Sequence, residues 1–174
     1  MLVKSVYAYL VVVLSVLLFS CNKEEVISNN TGNSFELELS GAETDTWIGT
    51  ATWRAPVSYI NQTRLWIVDL ETGGVDEPAL LLGVTIPDDR TYPDYPSAGT
   101  YEAGQLGNSA SGRDPFVSVY AVNDPSHTWV DNPGSVTITE ASDGVIAGTV
   151  TVSIQNNDRG GFTTFEGSFR AVTE

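Results

Sequence analysis

The sequence predicts an all-β domain, specifically a single antiparallel β-sandwich of about nine strands. Three observations lead to this prediction. After residue 33, apolar and polar residues alternate with a period of two in most segments. Turn-forming residues separate these segments at intervals of about 8–14 residues. No segment there carries apolar residues at helical spacing over three turns. A closed, lipocalin-like β-barrel is the alternative, because it is built from strands of the same kind.

Four predicted strands form the first half of this domain, at residues 35–39, 47–53, 65–70 and 79–86. In the second of them, Gly49 and Ala51 alternate with two tryptophans, and such small residues leave room for a ring to pack across the strand. Pro56 lies beyond the predicted end of that strand. Residues 79–86 are nearly all apolar, so we expect a central strand that is covered on both faces.

Five predicted strands form the second half, at residues 99–104, 116–122, 135–139, 146–154 and 165–171. Pro, Gly, Asn and Asp are frequent in the connecting loops, which include residues 87–98, 105–114 and 126–133. Asp143-Gly144 is typical of a hairpin turn, because both residues tolerate positive φ. The last three strands are joined by tight turns, so we expect them to form an antiparallel meander.

The start of the chain predicts a signal peptide. Residues 6–19 form a 14-residue run that is apolar apart from three hydroxyl groups, and Lys4 is the only charge before it. A membrane-spanning helix needs about 20 apolar residues, so this run is too short to span, and residues 1–20 are interpreted as a cleaved segment. Residues 21–33 are polar and predict a flexible tether, and residues 34–174 form the predicted all-β domain.

The apolar run ends in Leu18-Phe19-Ser20-Cys21, which resembles the lipobox of bacterial lipoproteins. The resemblance implies that Cys21 becomes the first residue of the mature protein and carries fatty acyl chains such as palmitate. Several acyl chains hold a protein firmly to a bilayer, whereas a single chain holds it marginally. Lipidation also explains why a secreted chain contains one lone cysteine.

Lys23, Glu24 and Glu25 resemble the export signal of surface lipoproteins of the Bacteroidota type, which often have a Lys and two acids just after the lipidated Cys. Residues 134–139, 146–150 and 165–169 also resemble the C-terminal β-meander of small lipoproteins of that type. These resemblances imply a lipid-anchored protein of the outer membrane that is exposed at the cell surface. They supply no catalytic residue.

The charge of the chain bears on its partners. Removal of residues 1–20 takes away Lys4 and no acid, so the net charge of −14 becomes −15. Such an acidic domain repels phosphate backbones, so we expect no nucleic-acid partner and contact with the membrane through the lipid anchor. No cofactor is predicted. One His and one Cys do not make a zinc site, and the Asp residues lack the spacing of a calcium loop.

His127 is the only candidate general base. A catalytic triad needs a carboxylate and a nucleophile in defined geometry around its histidine, whereas Asp124, Ser126 and Asp131 are close neighbours in the same short segment. This pattern favours a surface-loop histidine. Paired acids such as Asp88 and Asp94 leave a hydrolase as the least favoured function. The sequence assigns no catalytic and no metal residue, and it favours a protein that is not an enzyme without deciding the question.

The aromatic residues divide into two groups. Trp47, Trp53 and Trp66 lie in predicted strands, so we expect them in the core. Sugar rings stack on aromatics that lie exposed in polar loops. Three loop aromatics are therefore candidate ligand-binding residues: Trp129, Tyr92 and Tyr95. The sequence thus favours a non-catalytic binding module for a glycan or a cell-envelope partner, with a barrel-type carrier of a small apolar ligand as the alternative.

Overall fold

The computed structural model of the protein describes residues 32–59, 63–74, 76–87, 95–104, 115–128, 133–142 and 144–174. The regular elements in these ranges are strands, which confirms the all-β prediction. They are β1 (Ser34–Gly41), β2 (Asp45–Tyr59), β3 (Thr63–Glu71), β4 (Ala79–Pro87), β5 (Gly99–Glu102), β6 (Phe116–Val122), β7 (His127–Thr128), β8 (Gly134–Ser142), β9 (Val145–Asn156) and β10 (Phe162–Thr173). Within these ranges, no helix has the length and apolar character that a membrane span requires.

One sheet contains all ten of these strands. Nine follow a single path in the order β5-β8-β9-β10-β1-β2-β3-β4-β6, and β7 pairs with β9 beside this path. Neighbours along the path are antiparallel. The end of β10 also forms a short parallel ladder with β2, in which Val172 pairs with Thr52 and Thr173 with Trp53. This ladder forms beyond the first residue of β1, where β1 no longer separates the two strands.

The two end strands of the path, β5 and β6, do not pair as a ladder in the described residues. They meet at one isolated bridge between Ala103 and Val117, where the Gly104 N–H donates to the Val117 carbonyl at 2.9 Å. The sheet is therefore not closed into a barrel, and the closed, lipocalin-like alternative is wrong. The open sheet bends over one hydrophobic core, which fits the sandwich prediction.

Strict alternation along the strands builds this core. The inward side chains of the last two strands are buried: Ile146, Val150, Val152, Ile154, Phe165, Phe169 and Ala171. Trp47, Trp53 and Trp66 are buried as well, which confirms their predicted place in the core. Full burial of one large apolar side chain stabilises a fold by about 1.5–3 kcal/mol. The C-terminal meander predicted from the sequence is confirmed by the ladders from β8 to β9 and from β9 to β10.

Two local predictions in the first half are also confirmed. Gly49 sits where strands crowd, because a Cβ there would meet the Glu71 carbonyl oxygen and the Phe35 ring. In β4, Gly83 and Thr85 on the outer face are buried together with the inward leucines, so this strand is covered on both faces.

The prediction that β2 ends before Pro56 is wrong. β2 continues to Tyr59, and its pairing with β3 shifts register between Arg54 and Val57. Proline has no N–H to donate to a ladder, so within sheets it is tolerated at such a bulge. The bulge lets one long strand contain a residue that normally ends a strand.

The sheet has two ends, of which the first is where β1 begins. Ser34 pairs there with Arg170 of β10, and the Asn33 carbonyl accepts from the Ala51 N–H at 3.4 Å. Trp53 lies beside the last residues of β10 at this end. We call it the Trp53 end.

At the opposite end, three turns lie side by side: residues 42–44, 123–126 and 157–161. Backbone hydrogen bonds join them to one another and to β10. The Ala42 N–H donates to the Phe162 carbonyl at 2.9 Å, and the Asn157 N–H donates to the Ser126 carbonyl at 2.6 Å. We call this the three-turn end.

Candidate functional site

Several predicted site residues lie outside the described residues and stay predictions: Cys21, Lys23, Glu24, Glu25, Trp129, Tyr92, Asp88 and Asp94. Tyr95 is the predicted ligand-binding aromatic that the structure does describe. It is half-buried, and its ring meets the Trp53 ring edge to face, with centroids 5.9 Å apart and planes at 73°. Aromatic pairs of this kind contribute about 0.5–1.5 kcal/mol. Tyr95 therefore helps to cover the core at the Trp53 end.

Trp53 itself has an unmatched polar atom. Its indole Nε1 is buried and has no hydrogen-bond partner within the part of the chain that the structure describes. Among the described residues, Thr85 Oγ1 is the other buried side-chain atom in this condition. A buried donor without an acceptor costs about 1–3 kcal/mol. The Trp53 end thus contains a donor that an acceptor oxygen would satisfy.

The grouping of Trp129, Tyr92 and Tyr95 at one end of the sheet stays a prediction, because Trp129 and Tyr92 lie outside the described residues. Tyr95 lies at the Trp53 end, beside Trp53.

His127 is not a surface-loop histidine, so that prediction is wrong. It belongs to β7 and pairs with Asn156 of β9. Its imidazole is 0% exposed and packs edge-on against the Phe165 ring, with centroids 5.4 Å apart. The residues that bury it are distant in the chain, and the local pattern of Asp, Asn and Pro gave no sign of them.

Polar side chains from the 123–126 turn, the 42–44 turn and the last residue of β9 surround the imidazole. Its Nδ1 lies 2.6 Å from Asp124 Oδ2. Its Nε2 lies 3.3 Å from Asn156 Nδ2 and 3.8 Å from Glu43 Oε2. The two residues on the Nε2 side are also close to each other: Asn156 Nδ2 lies 3.4 Å from Glu43 Oε2. We call Glu43, Asp124, His127 and Asn156 the His127 cluster.

A further set of hydrogen bonds holds the His127 cluster in place. Asp124 Oδ1 accepts from the Ser126 N–H at 3.0 Å, and the Ser126 hydroxyl donates to Asp158 Oδ2 at 2.9 Å. Asn156 Oδ1 accepts from the Arg159 N–H at 2.9 Å, which closes the 157–161 turn. The short spacing of these polar residues is typical of Asx turns, and it is the signal that the sequence did offer.

The geometry of the His127 cluster suits a structural role, in which hydrogen bonds hold the turns together, better than catalysis. A carboxylate on Nδ1 is the orienting half of a catalytic triad, but Nε2 faces Asn156 and Glu43 where a triad has its nucleophile. The nearby Ser126 hydroxyl is bonded to Asp158 instead. In the part of the chain that the structure describes, no group of three or more His, Cys, Asp or Glu residues is arranged to hold a metal ion.

Two exposed apolar side chains border the same turns. Phe162 follows the 157–161 turn and is 51% exposed, and Val122 precedes the 123–126 turn and is 36% exposed. Phe162 points outward because its neighbour Thr163 occupies the inward position of β10. The sequence analysis missed Phe162, although its place out of phase with the buried Phe165 is a usable signal.

No protein-family model, curated protein or solved structure matches this chain. Its function is therefore inferred from its own residues.

Proposed function

We propose that the protein is a lipid-anchored binding module of the outer membrane, exposed at the cell surface, that holds a glycan or a cell-envelope partner at its three-turn end. The observation that carries this proposal is the exposed Phe162 ring beside turns that are bonded to one another. Binding residues are commonly found on loops that a rigid scaffold positions.

The hydrogen bonds between the turns favour binding, because they lower the free-energy cost of ordering this surface when a ligand binds. Ordering one mobile side chain at an interface costs about 0.5–1.5 kcal/mol, and loop ordering adds to that cost. The His127 cluster ties the 42–44, 123–126 and 157–161 turns together before any ligand arrives. The turns at this end are therefore already ordered in the folded protein, and a ligand that binds there does not bear the free-energy cost of ordering them.

The side chains at the surface of this end match a sugar. The apolar CH face of a sugar ring packs on an aromatic ring such as Phe162, and its hydroxyls hydrogen-bond to polar groups. Asn157, Asp158 and Arg159 are exposed in the turn just before Phe162 and supply such groups. Trp129, which follows β7, remains a predicted second aromatic of this surface.

The lipid anchor is supported by the lipobox resemblance at Cys21, and surface exposure by the resemblance of Lys23, Glu24 and Glu25 to an export signal. Mass spectrometry of protein recovered from host membranes tests the anchor. We expect acyl chains on an N-terminal Cys21. Protease added to intact cells tests exposure, and we expect digestion without rupture of the outer membrane.

Binding is tested with the full chain, purified in detergent, on an array of cell-surface glycans. For a glycan that binds, Phe162→Ala is expected to weaken affinity about tenfold or more, which corresponds to about 1.4 kcal/mol. Ile48→Ala is the matched control, because Ile48 is 61% exposed on the outer face of β2 and lies outside the three turns. Equal affinities for the two variants would place the binding surface elsewhere.

If no glycan binds, covalent cross-linking on intact cells tests the other version of the proposal, in which the ligand is a cell-envelope partner. An envelope partner is expected to cross-link through the three-turn end in the parent protein and to be lost in Phe162→Ala. Cross-linking that is unaffected by Phe162→Ala, together with an empty glycan array, would contradict the proposal.

A further inference from the structure

Heavy-atom positions in the His127 cluster fix where its protons lie. The Arg159 N–H donates to Asn156 Oδ1 at 2.9 Å, so the other atom of that amide, Nδ2, faces His127 Nε2 at 3.3 Å. An amide nitrogen donates and does not accept. His127 Nε2 is therefore the acceptor in this contact and carries no proton.

The other ring nitrogen is the donor. His127 Nδ1 lies 2.6 Å from Asp124 Oδ2, and an ionised carboxylate can only accept, so the proton of the neutral imidazole is on Nδ1. The remaining carboxylate, on Glu43, lies 3.8 Å from Nε2, which is too far for a hydrogen bond. In this arrangement the partner of Nε2 is Asn156.

A second proton on the ring changes which partner Nε2 prefers. The new N–H would point at the N–H of Asn156, and two donors do not form a hydrogen bond. The nearest carboxylate is that of Glu43, which needs to approach by about 1 Å to accept. Asn156 Nδ2 keeps acceptors of its own, because it lies 3.4 Å from Glu43 Oε2 and 3.5 Å from Thr163 Oγ1.

We propose that His127 is a proton-operated switch between two hydrogen-bonded states of the three-turn end. When Nε2 takes a proton from water, its hydrogen bond from Asn156 breaks and a new one to Glu43 forms. The bond from Nδ1 to Asp124 is kept. The exchange draws the 42–44 turn toward β7 and leaves the Asn156 amide bonded to its other partners.

Charged groups on the elements around the ring act on this switch. Asp124 of the 123–126 turn and Glu43 of the 42–44 turn are negative and face the two ring nitrogens. From the 157–161 turn, negative Asp158 acts through Ser126, and the positive guanidinium of Arg159 donates to the Ala42 carbonyl of the 42–44 turn at 3.4 Å. The β10 side chains near the ring and its Asn156 partner are uncharged: Thr163 and Phe165.

Nuclear magnetic resonance tests the switch directly, because the chain contains one His and its ring signals need no assignment. The full chain is purified in detergent with a tag that lacks histidine and is titrated from about pH 8 to pH 5. We expect Nε2 to be unprotonated at the high end and protonated at the low end. The backbone amide signals of residues 42–46 and 156–159 are expected to shift with the same midpoint.

Glu43→Ala removes the new acceptor without touching the ring. In this variant the ring is expected to titrate still, while the pH-dependent shift of the 42–46 amides is lost. Glu38→Ala, an exposed acid on the outer face of β1, is the control and should keep that shift. The proposal is overturned if Nε2 carries a proton at pH 8, if Nε2 does not titrate, or if it titrates while the 42–46 amides stay still. A Glu43→Ala variant that behaves like Glu38→Ala also overturns it.

Discussion

The two ends of the sheet are held together by different interactions. At the Trp53 end, two aromatic rings meet edge to face and an indole N–H has no acceptor. At the three-turn end, a buried imidazole joins three turns, and the His127 cluster leaves no buried side-chain atom without a partner. A buried polar network fails when one member is removed, because the others stay buried and unpaired. The three-turn end should therefore be the less tolerant of substitution.

Phe165→Ala should cause the largest loss of stability. The Phe165 ring is buried, and it packs edge-on against Trp47 at 5.1 Å and against His127 at 5.4 Å. Removal of a buried phenyl ring costs about 3–5 kcal/mol, because a cavity remains. Urea denaturation measures this loss. A cost below about 1 kcal/mol would mean that the packing under the His127 cluster is not as described.

His127→Leu should cost less than Phe165→Ala but more than a comparable change at the other end. Leucine fills much of the space, but Asp124 and Asn156 lose a partner, and we expect a cost of about 2–3 kcal/mol. Tyr95→Leu is the matched change at the Trp53 end, where the lost ring pair is worth about 0.5–1.5 kcal/mol. Denaturation of both variants in parallel gives the comparison. Equal costs would remove the distinction between the two ends.

Trp53→Phe should have the smallest effect. It deletes an N–H that has no acceptor, so part of the cavity cost is offset, and we expect a net loss of about 1 kcal/mol. Trp66→Phe is the control, because Trp66 is fully buried and its N–H is not among the unmatched atoms. We expect its loss to exceed that of Trp53→Phe by about 1–3 kcal/mol in the same denaturation assay. The reverse order would show that the Trp53 N–H has an acceptor in solution.

The parts of the fold that follow from local pattern could be predicted. The period-two alternation of β9 and β10 identified their buried faces, and Asp143-Gly144 marked the hairpin between β8 and β9, where Gly144 has φ of 80°. These features depend on residues that are neighbours in the chain. The bulge at Pro56 could not be predicted, because it depends on the partner strand β3 accepting a register shift.

The His127 cluster could not be predicted, for a related reason. Asn156 lies 29 positions from His127 and 113 positions from Glu43, so no local window contains the whole set. The acidic turn before His127 could be read from the sequence, but its burial depends on β9 and β10. The candidate aromatics were chosen for their polar loops, and that criterion selected Tyr95, which covers the core, and passed over the exposed Phe162.

The entry point of the chain into the sheet decides which end of the domain lies next to the predicted tether. β1 begins at the Trp53 end, so a leader fixed to lipid at Cys21 would join the body on that side. The three-turn end is then the distal pole. β1 contains 8 residues and would hold that pole roughly 25 Å beyond the point of attachment. A polymer or a neighbouring cell that approaches from the medium would meet Phe162 before it met the lipid.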